Sequence, residues 1–133
     1  QGAGELYSPE RAVSYLEKNH VVIIGGGTGN PFFTTDTAAA LRCAEIGAEV
    51  ILKATKVDGI YDSDPFKNPE AVRFDQITHK EALSRDLKVM DSTAFSFCME
   101  NSIPIIIFKL MEKGNLCRCV AGQATGSIVK TGG

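Results

Sequence analysis

The chain has 133 residues, with 14 lysines and arginines against 16 aspartates and glutamates, for a formal net charge of −2. Hydrophobic residues make up 44% and charged residues 23%, the balance of one ordinary globular domain and not of a disordered tail or a charged linker. That charge gives no global pull toward nucleic acid or an anionic membrane surface, and the sequence shows no local basic patch.

The opening residues, Gln1 to Glu5, are polar and small and do not resemble a signal peptide. The chain does not begin with Met, which raises the expectation of a processed chain or an excised piece. Ser8-Pro9 opens a predicted helix over 8–18, with Ser8 as N-cap, Pro9 at the first helical position and Ala12, Val13 and Leu16 on one face. Asn19-His20 breaks it. Val21-Val22-Ile23-Ile24 is all apolar, the pattern of a strand buried on both faces. A flexible loop, opening with Gly25-Gly26-Gly27, then runs to Thr35. A helix is predicted over 36–46, with Thr35 as N-cap and Gly47 as the residue that ends it. Residues 49–54 read as a second buried strand, and a long polar segment from Thr55 to Asn68 follows, with turn signals at Asp58-Gly59 and Asp64-Pro65. Thr78-His79-Lys80-Glu81 is a capping box for a short helix. A helix over 92–100 takes Asp91 as its cap. Pro104–Phe108 is a third apolar strand, and a helix near 113–120 and a strand near 127–130 close the chain. The longest apolar run, 103–108, is interrupted by Pro104 and falls well short of the about 18 residues of a membrane span. Alternating strands and helices predict an α/β fold, three layers with a mostly parallel sheet.

Four cysteines, Cys43, Cys98, Cys117 and Cys119, show no Cys-x-x-Cys spacing, so reduced thiols acting as small hydrophobes in a cytoplasmic protein are the plain reading, with a structural metal as the alternative. Cys117 and Cys119 should face different sides of their helix. His20 and His79 stand far from any cysteine.

Two segments can carry chemistry. The first runs from Gly25 to Thr37, between a strand and a helix N-terminus. Glycines let the backbone approach an anion, the helix end offers free N–H groups, and Thr28, Thr34 and Thr35 add hydroxyls. It lacks Gly-Lys-Ser/Thr, and Asn30 breaks the dinucleotide glycine pattern. A plain strand-to-helix loop stays open as the alternative. Phe32 and Phe33 would either line a pocket or fill the core beneath the loop. Asp36 is explained by the helix dipole alone, or by orienting a nearby lysine, or by proximity to Mg²⁺ on phosphates. The second segment is Lys53 to Pro65. Lys53 and Lys56 supply charge for phosphates, Tyr61 a flat ring and Asp64 an acceptor; a surface loop is the alternative. Asp62-Ser63-Asp64 lacks the spacing of a calcium loop.

Gly27-Thr28-Gly29-Asn30-Pro31-Phe32-Phe33-Thr34-Thr35-Asp36-Thr37 and the run Lys53 to Pro65 closely resemble the bacterial UMP kinase family, of the amino-acid-kinase fold. Leu87 to Asp91, Pro104-Ile105 and Gly126 to Val129 fit its C-terminal part, so the resemblance extends from about Tyr7 to Lys130. It implies ATP-dependent phosphorylation of UMP to UDP in pyrimidine nucleotide synthesis. It also implies that Thr28, Gly29, Asn30, Phe33, Thr34 and Thr35 bind UMP. Asp36 is then the acid that organises the catalytic lysine. Thr55, Tyr61 and Asp64 would form the ATP site, with Tyr61 against the adenine and Mg²⁺ bridging the ATP phosphates, with no metal held by protein ligands alone. A homo-oligomer, hexameric in the family, is expected, with no nucleic-acid or membrane partner. Family members run to roughly twice this length, as a larger single α/β domain. Their N-terminal half carries a Lys-x-Ser-Gly strand end, a second Gly-rich loop, and an arginine and aspartate for UMP, none of which occurs in these 133 residues. Residues 1–133 are therefore expected to be the C-terminal, nucleotide-binding part of such a kinase, inactive alone. A stand-alone or regulatory nucleotide-binding module of the same fold is the alternative. A carboxylate or carbamate kinase fits less well, given Pro31 to Thr35 and Asp91.

Overall fold

The computed structural model describes residues 4–123 and 125–132. The polar start at residues 1–3 lies outside them. In chain order the elements are α1 (Pro9–Leu16), α2 (Thr35–Ile46), β1 (Ile51–Thr55), β2 (Ile60–Tyr61), β3 (Arg73–Phe74), β4 (Gln76–Thr78), α3 (His79–Ser84), α4 (Ser92–Glu100), β5 (Ile105–Lys109), α5 (Asn115–Val120) and β6 (Gly126–Lys130).

The helix starts follow from local chemistry. Ser8 accepts from the Arg11 N–H, Thr78 from the Glu81 N–H and Asp91 from the Ala94 N–H, each satisfying a donor with no partner inside its helix. The α2 cap is Thr34, one residue earlier than the sequence reading placed it, because the Thr34 hydroxyl takes the N–H groups of both Asp36 and Thr37. α2 ends at Gly47, whose φ of 67° is the left-handed conformation that glycine adopts without a Cβ penalty.

β1, β5, β6 and β4 form one sheet in that order. β1 pairs parallel with β5 in the register Ile51–Ile105, and β4 pairs parallel with β6. β5 and β6 are antiparallel, through Ile105–Val129. Gly126 is required here: a Cβ would collide with the Ile107 carbonyl oxygen and stand 2.9 Å from its carbon. β2, inside the stretch read as a polar segment, makes a separate antiparallel pair with β3, which lies beyond that stretch.

Side chains alternate across a strand, so β5 serves two layers. Ile105 and Ile107 join one buried cluster with Ala40 and Cys43 of α2, Ala82 of α3 and Ala94, Phe95 and Cys98 of α4. The small residues let α2 and α4 pack together. Phe108 is fully buried outside that cluster, where α5 packs on β5 and Asn115 donates to the Lys109 carbonyl at 2.8 Å. Full burial of side chains such as Ile105, Phe108 and Val129 contributes about 1.5–3 kcal/mol each. Helices thus flank the sheet on both sides.

One expectation fails. Residues 21–24 are not a strand, and Val21 and Ile23 are 91% and 93% exposed. An apolar run becomes a buried strand only where neighbouring strands take its N–H and C=O groups. Among the described residues none pairs with it. Its apolar side chains instead line an open trough of about 1090 Å³ with Leu6, Tyr7 and Tyr15. The second strand is also less buried than expected: of Ile51–Thr55 only Ile51 is buried.

Candidate functional site

The N-termini of α2 and α4 and strand β1 converge on one polar junction. Lys53, on β1, donates from Nζ to Asp36 Oδ2 at 2.7 Å and to the Val89 carbonyl at 2.9 Å. Both side chains of the ion pair are about three-quarters buried, at 24% and 27% exposure. Asp36 Oδ2 also accepts from the Asp91 N–H at 3.3 Å. The Asp91 carboxylate, while capping α4, accepts from the hydroxyls of Thr34 and of Thr37, the latter at 3.3 Å. Burial pushes the Asp91 carboxyl up, but hydrogen bonds from Thr34, the Ala94 N–H, Thr37 and the Thr93 N–H outweigh it and hold the acid below its ordinary range. The Asp36 carboxylate therefore sits beside one ammonium at the positive end of α2, and the Asp91 carboxylate is tied to that end through Thr34 and Thr37.

Lys53 also lines a cleft of about 620 Å³, within the range of ligand pockets. Thr55, Tyr61 and Asp64, the residues expected at ATP, line it together. Each is also held locally. The Thr55 hydroxyl donates to the Val57 carbonyl at 2.7 Å. Tyr61 donates to Asp58 Oδ1 at 2.9 Å, and that bond, then burial, raises the phenol above its usual range. Asp58 in turn meets Arg73 at 3.2 Å. Asp64 accepts from the Phe66 N–H at 3.0 Å, which closes its own turn. The opposite wall is the turn after α3, from Arg85 to Val89. Arg85 there pairs with Glu81 at 2.7 Å and lies 5.4 Å from the Phe74 ring centre.

The residues expected at UMP occupy a different place, the exposed loop that leads into α2. Thr28 and Asn30 bond to each other, with the Asn30 N–H donating to the Thr28 hydroxyl at 3.0 Å. Gly29 has a φ of 76°, in the left-handed region. Phe33 is 53% exposed and Phe32 is fully exposed with a φ of 70°, so neither fills the core beneath the loop. Thr35 begins α2 and is exposed. Thr34 is not a free donor, since its hydroxyl is committed to Asp91. The loop and the cleft meet at one pair, Asp36 with Lys53.

Sequence reasoning named Lys53 for its charge but did not pair it with Asp36, and it used Asp91 as a cap and as part of the family resemblance without joining it to Thr34. It passed over Arg85 and Lys88 in the cleft wall. Lys53 and Asp36 are 17 residues apart and Thr34 and Asp91 are 57 apart, so spacing gives no signal for either contact. Arg42 and Arg118 pair with Glu45 and Glu112, each at 2.6 Å.

The profile of the Amino acid kinase family matches residues 2–109, so the chain belongs to that family. Among individual relatives, it is 55% identical over 125 residues to the chloroplastic uridylate kinase PUMPKIN of Arabidopsis thaliana, covering 94% of this chain and 37% of that protein. The solved UMP kinase of Bacillus anthracis superposes with a TM-score of 0.92 at 32% identity, over 97% of this chain and 53% of that one. The UMP kinase of Ureaplasma parvum gives 0.88 at 39%, over 94% and 54%. The chain thus spans about half the length of these solved structures and 37% of the plant relative. Among the described residues no helix is long and apolar enough to cross a membrane.

Proposed function

We propose that this chain supplies the ATP cleft and part of the UMP loop of a UMP kinase, which phosphorylates UMP to UDP in pyrimidine nucleotide synthesis. The observation that carries the reading is the Lys53–Asp36 pair, which lies between the cleft and the start of α2. An ammonium has three N–H donors, and Lys53 spends two on Asp36 and Val89. The third is available to a phosphate oxygen in the cleft. Asp36 holds that ammonium in place and so acts on the transferring phosphate through a lysine. Phosphoryl transfer rests on positioning and charge stabilisation, which suits such an arrangement. Tyr61 offers its ring to the adenine, with its hydroxyl already bound, and Thr55 and Asp64 flank it. Thr28, Gly29, Asn30, Phe33 and Thr35 face solvent in the loop, open to an acceptor nucleotide, while Thr34 fixes the loop to α4.

Among the described residues no three histidine, cysteine, aspartate or glutamate side chains converge on a metal. Mg²⁺ carried on nucleotide phosphates needs only one or two carboxylates besides water, and Asp36, beside Lys53, would be the one at hand, since both Asp91 oxygens are taken by Thr34, Thr37 and the α4 cap. When bound, the ion neutralises charge on the phosphate oxygens. The complete enzyme is a homo-oligomer in this reading. Four unpaired cysteines suit a reducing compartment such as the cytoplasm.

Calorimetry of the chain with a non-hydrolysable ATP analogue and Mg²⁺ tests the cleft. Weak binding is expected, and Tyr61→Ala should weaken it about fivefold through loss of aromatic stacking. No UDP should form from the chain alone. Unchanged affinity in Tyr61→Ala contradicts the adenine assignment. Turnover by the chain alone, near that of a complete kinase, contradicts the need for residues beyond it.

A further inference from the structure

We infer that Ser127 is a positioning residue that fixes one wall of the cleft without lining it. The cleft wall that carries Tyr61 and Asp64 has little structure of its own. Its regular part is β2, two residues long, paired with β3, also two residues long. An isolated two-stranded pair is marginal in water, so the wall must be held from elsewhere.

The holder is a single hydroxyl. Ser127, on β6, is fully buried. Its Oγ accepts from the Ile60 N–H at 2.7 Å and donates to the Phe74 carbonyl. One side chain thus uses its donor on β3 and its acceptor on β2, and clamps both strands to the main sheet. The Ile128 N–H adds a bond to the Asp75 carbonyl at 3.0 Å. Ser127 is itself rigid, since its backbone lies in the β5–β6 ladder opposite Ile107.

The residue type and its surroundings agree. Val129, two residues on, fills the equivalent buried position with an apolar side chain. A hydroxyl at 127 is costly to bury unless both bonds are made, and both are. Gly59 makes the approach possible: a Cβ there would collide with Ser127 Oγ and stand 2.7 Å from Arg73 Cδ. Ile60 is the neighbour of Tyr61, so the clamp acts one residue from the ring proposed to meet adenine. The functional half of this inference rests on the ATP reading of the cleft; the clamp itself does not.

The test compares Ser127→Thr with Ser127→Val. These two have nearly the same shape and differ in the hydroxyl, so any strain from the added bulk is common to both. The first readout is amide hydrogen exchange. Ile60 should exchange at least about tenfold faster in the valine variant, with Phe108 equally protected in both as the control for folding. The second readout is calorimetry with a non-hydrolysable ATP analogue and Mg²⁺, where the valine variant should bind about tenfold more weakly than the threonine variant. Equal Ile60 exchange in the two variants overturns the clamp. Faster exchange with equal affinity overturns the positioning role. Failure of every form to bind the analogue, the natural chain included, overturns the ATP reading, and the positioning role falls with it; the exchange result still decides the clamp.

Discussion

The Lys53–Asp36 pair makes a quantitative prediction through a double-mutant cycle. At effective dielectric 20, opposite charges at this range attract by about 4–6 kcal/mol before desolvation. Each side chain is roughly a quarter exposed, so desolvation and screening remove most of that. A net coupling of about 1–2 kcal/mol remains. The two single variants should differ. Asp36→Asn keeps an oxygen for both Lys53 and the Asp91 N–H, and should cost about 1 kcal/mol. Lys53→Met keeps the aliphatic stem but leaves the largely buried Asp36 carboxylate without its counter-ion. It should cost about 2–3 kcal/mol. The double variant should be more stable than the sum of the two losses by the coupling energy. Urea unfolding at pH 7 measures all four corners, and 1 M salt should shrink the coupling. Losses that add within about 0.5 kcal/mol would show that the two groups do not interact, and would refute the reasoning.

Two further predictions follow from buried titratable groups. Burial lowers the His79 imidazole pKa, outweighing the Ile103 and Lys130 backbone contacts. The unfolded chain then binds a proton near pH 6.5 that the folded chain refuses. Stability should hold above that value and fall as pH drops through it toward the folded pKa, by at most about 1.4 kcal/mol per pH unit. Urea unfolding between pH 5 and 8 should show this slope, and its persistence in His79→Gln would assign it elsewhere. The four thiols should react very unequally. Cys98 is fully buried and its pKa is pushed up to about 11 by burial, with smaller effects of Cys43 and Asp36. Burial also raises Cys43, while Cys117 is exposed. A disulfide reagent should modify only Cys117 quickly in the folded chain, and fast modification of Cys43 or Cys98 would contradict the packing of α2 on α4.

Signals confined to one turn of chain were readable in the sequence. Ser8, Thr78 and Asp91 cap the helices expected of them because a cap bonds to a residue three positions on. The one-residue displacement at Thr34 arose because Thr34 and Thr35 offer the same hydroxyl, and geometry alone chooses. β2, β3 and β4 are two or three residues long, too short to show a period of two. Their partners lie across loops that the sequence does not measure. The run 21–24 shows the opposite error: composition asked for burial, but burial depends on neighbours. The site divides in the same way. Its residue types stood out at Thr28 to Asp36 and at Lys53 to Asp64. The contacts that join them, Lys53 to Asp36 and Thr34 to Asp91, come from the sheet bringing the end of β1 and two helix N-termini together.

The most direct measurement is a crystal structure of the chain with a non-hydrolysable ATP analogue and Mg²⁺. The expected density places the adenine against Tyr61 between the Asp58–Asp64 loop and the Arg85–Val89 turn, with a phosphate oxygen accepting from Lys53 Nζ while Lys53 keeps Asp36. An analogue bound elsewhere, as in the trough beside residues 21–26, or one whose phosphates do not meet Lys53, would contradict it.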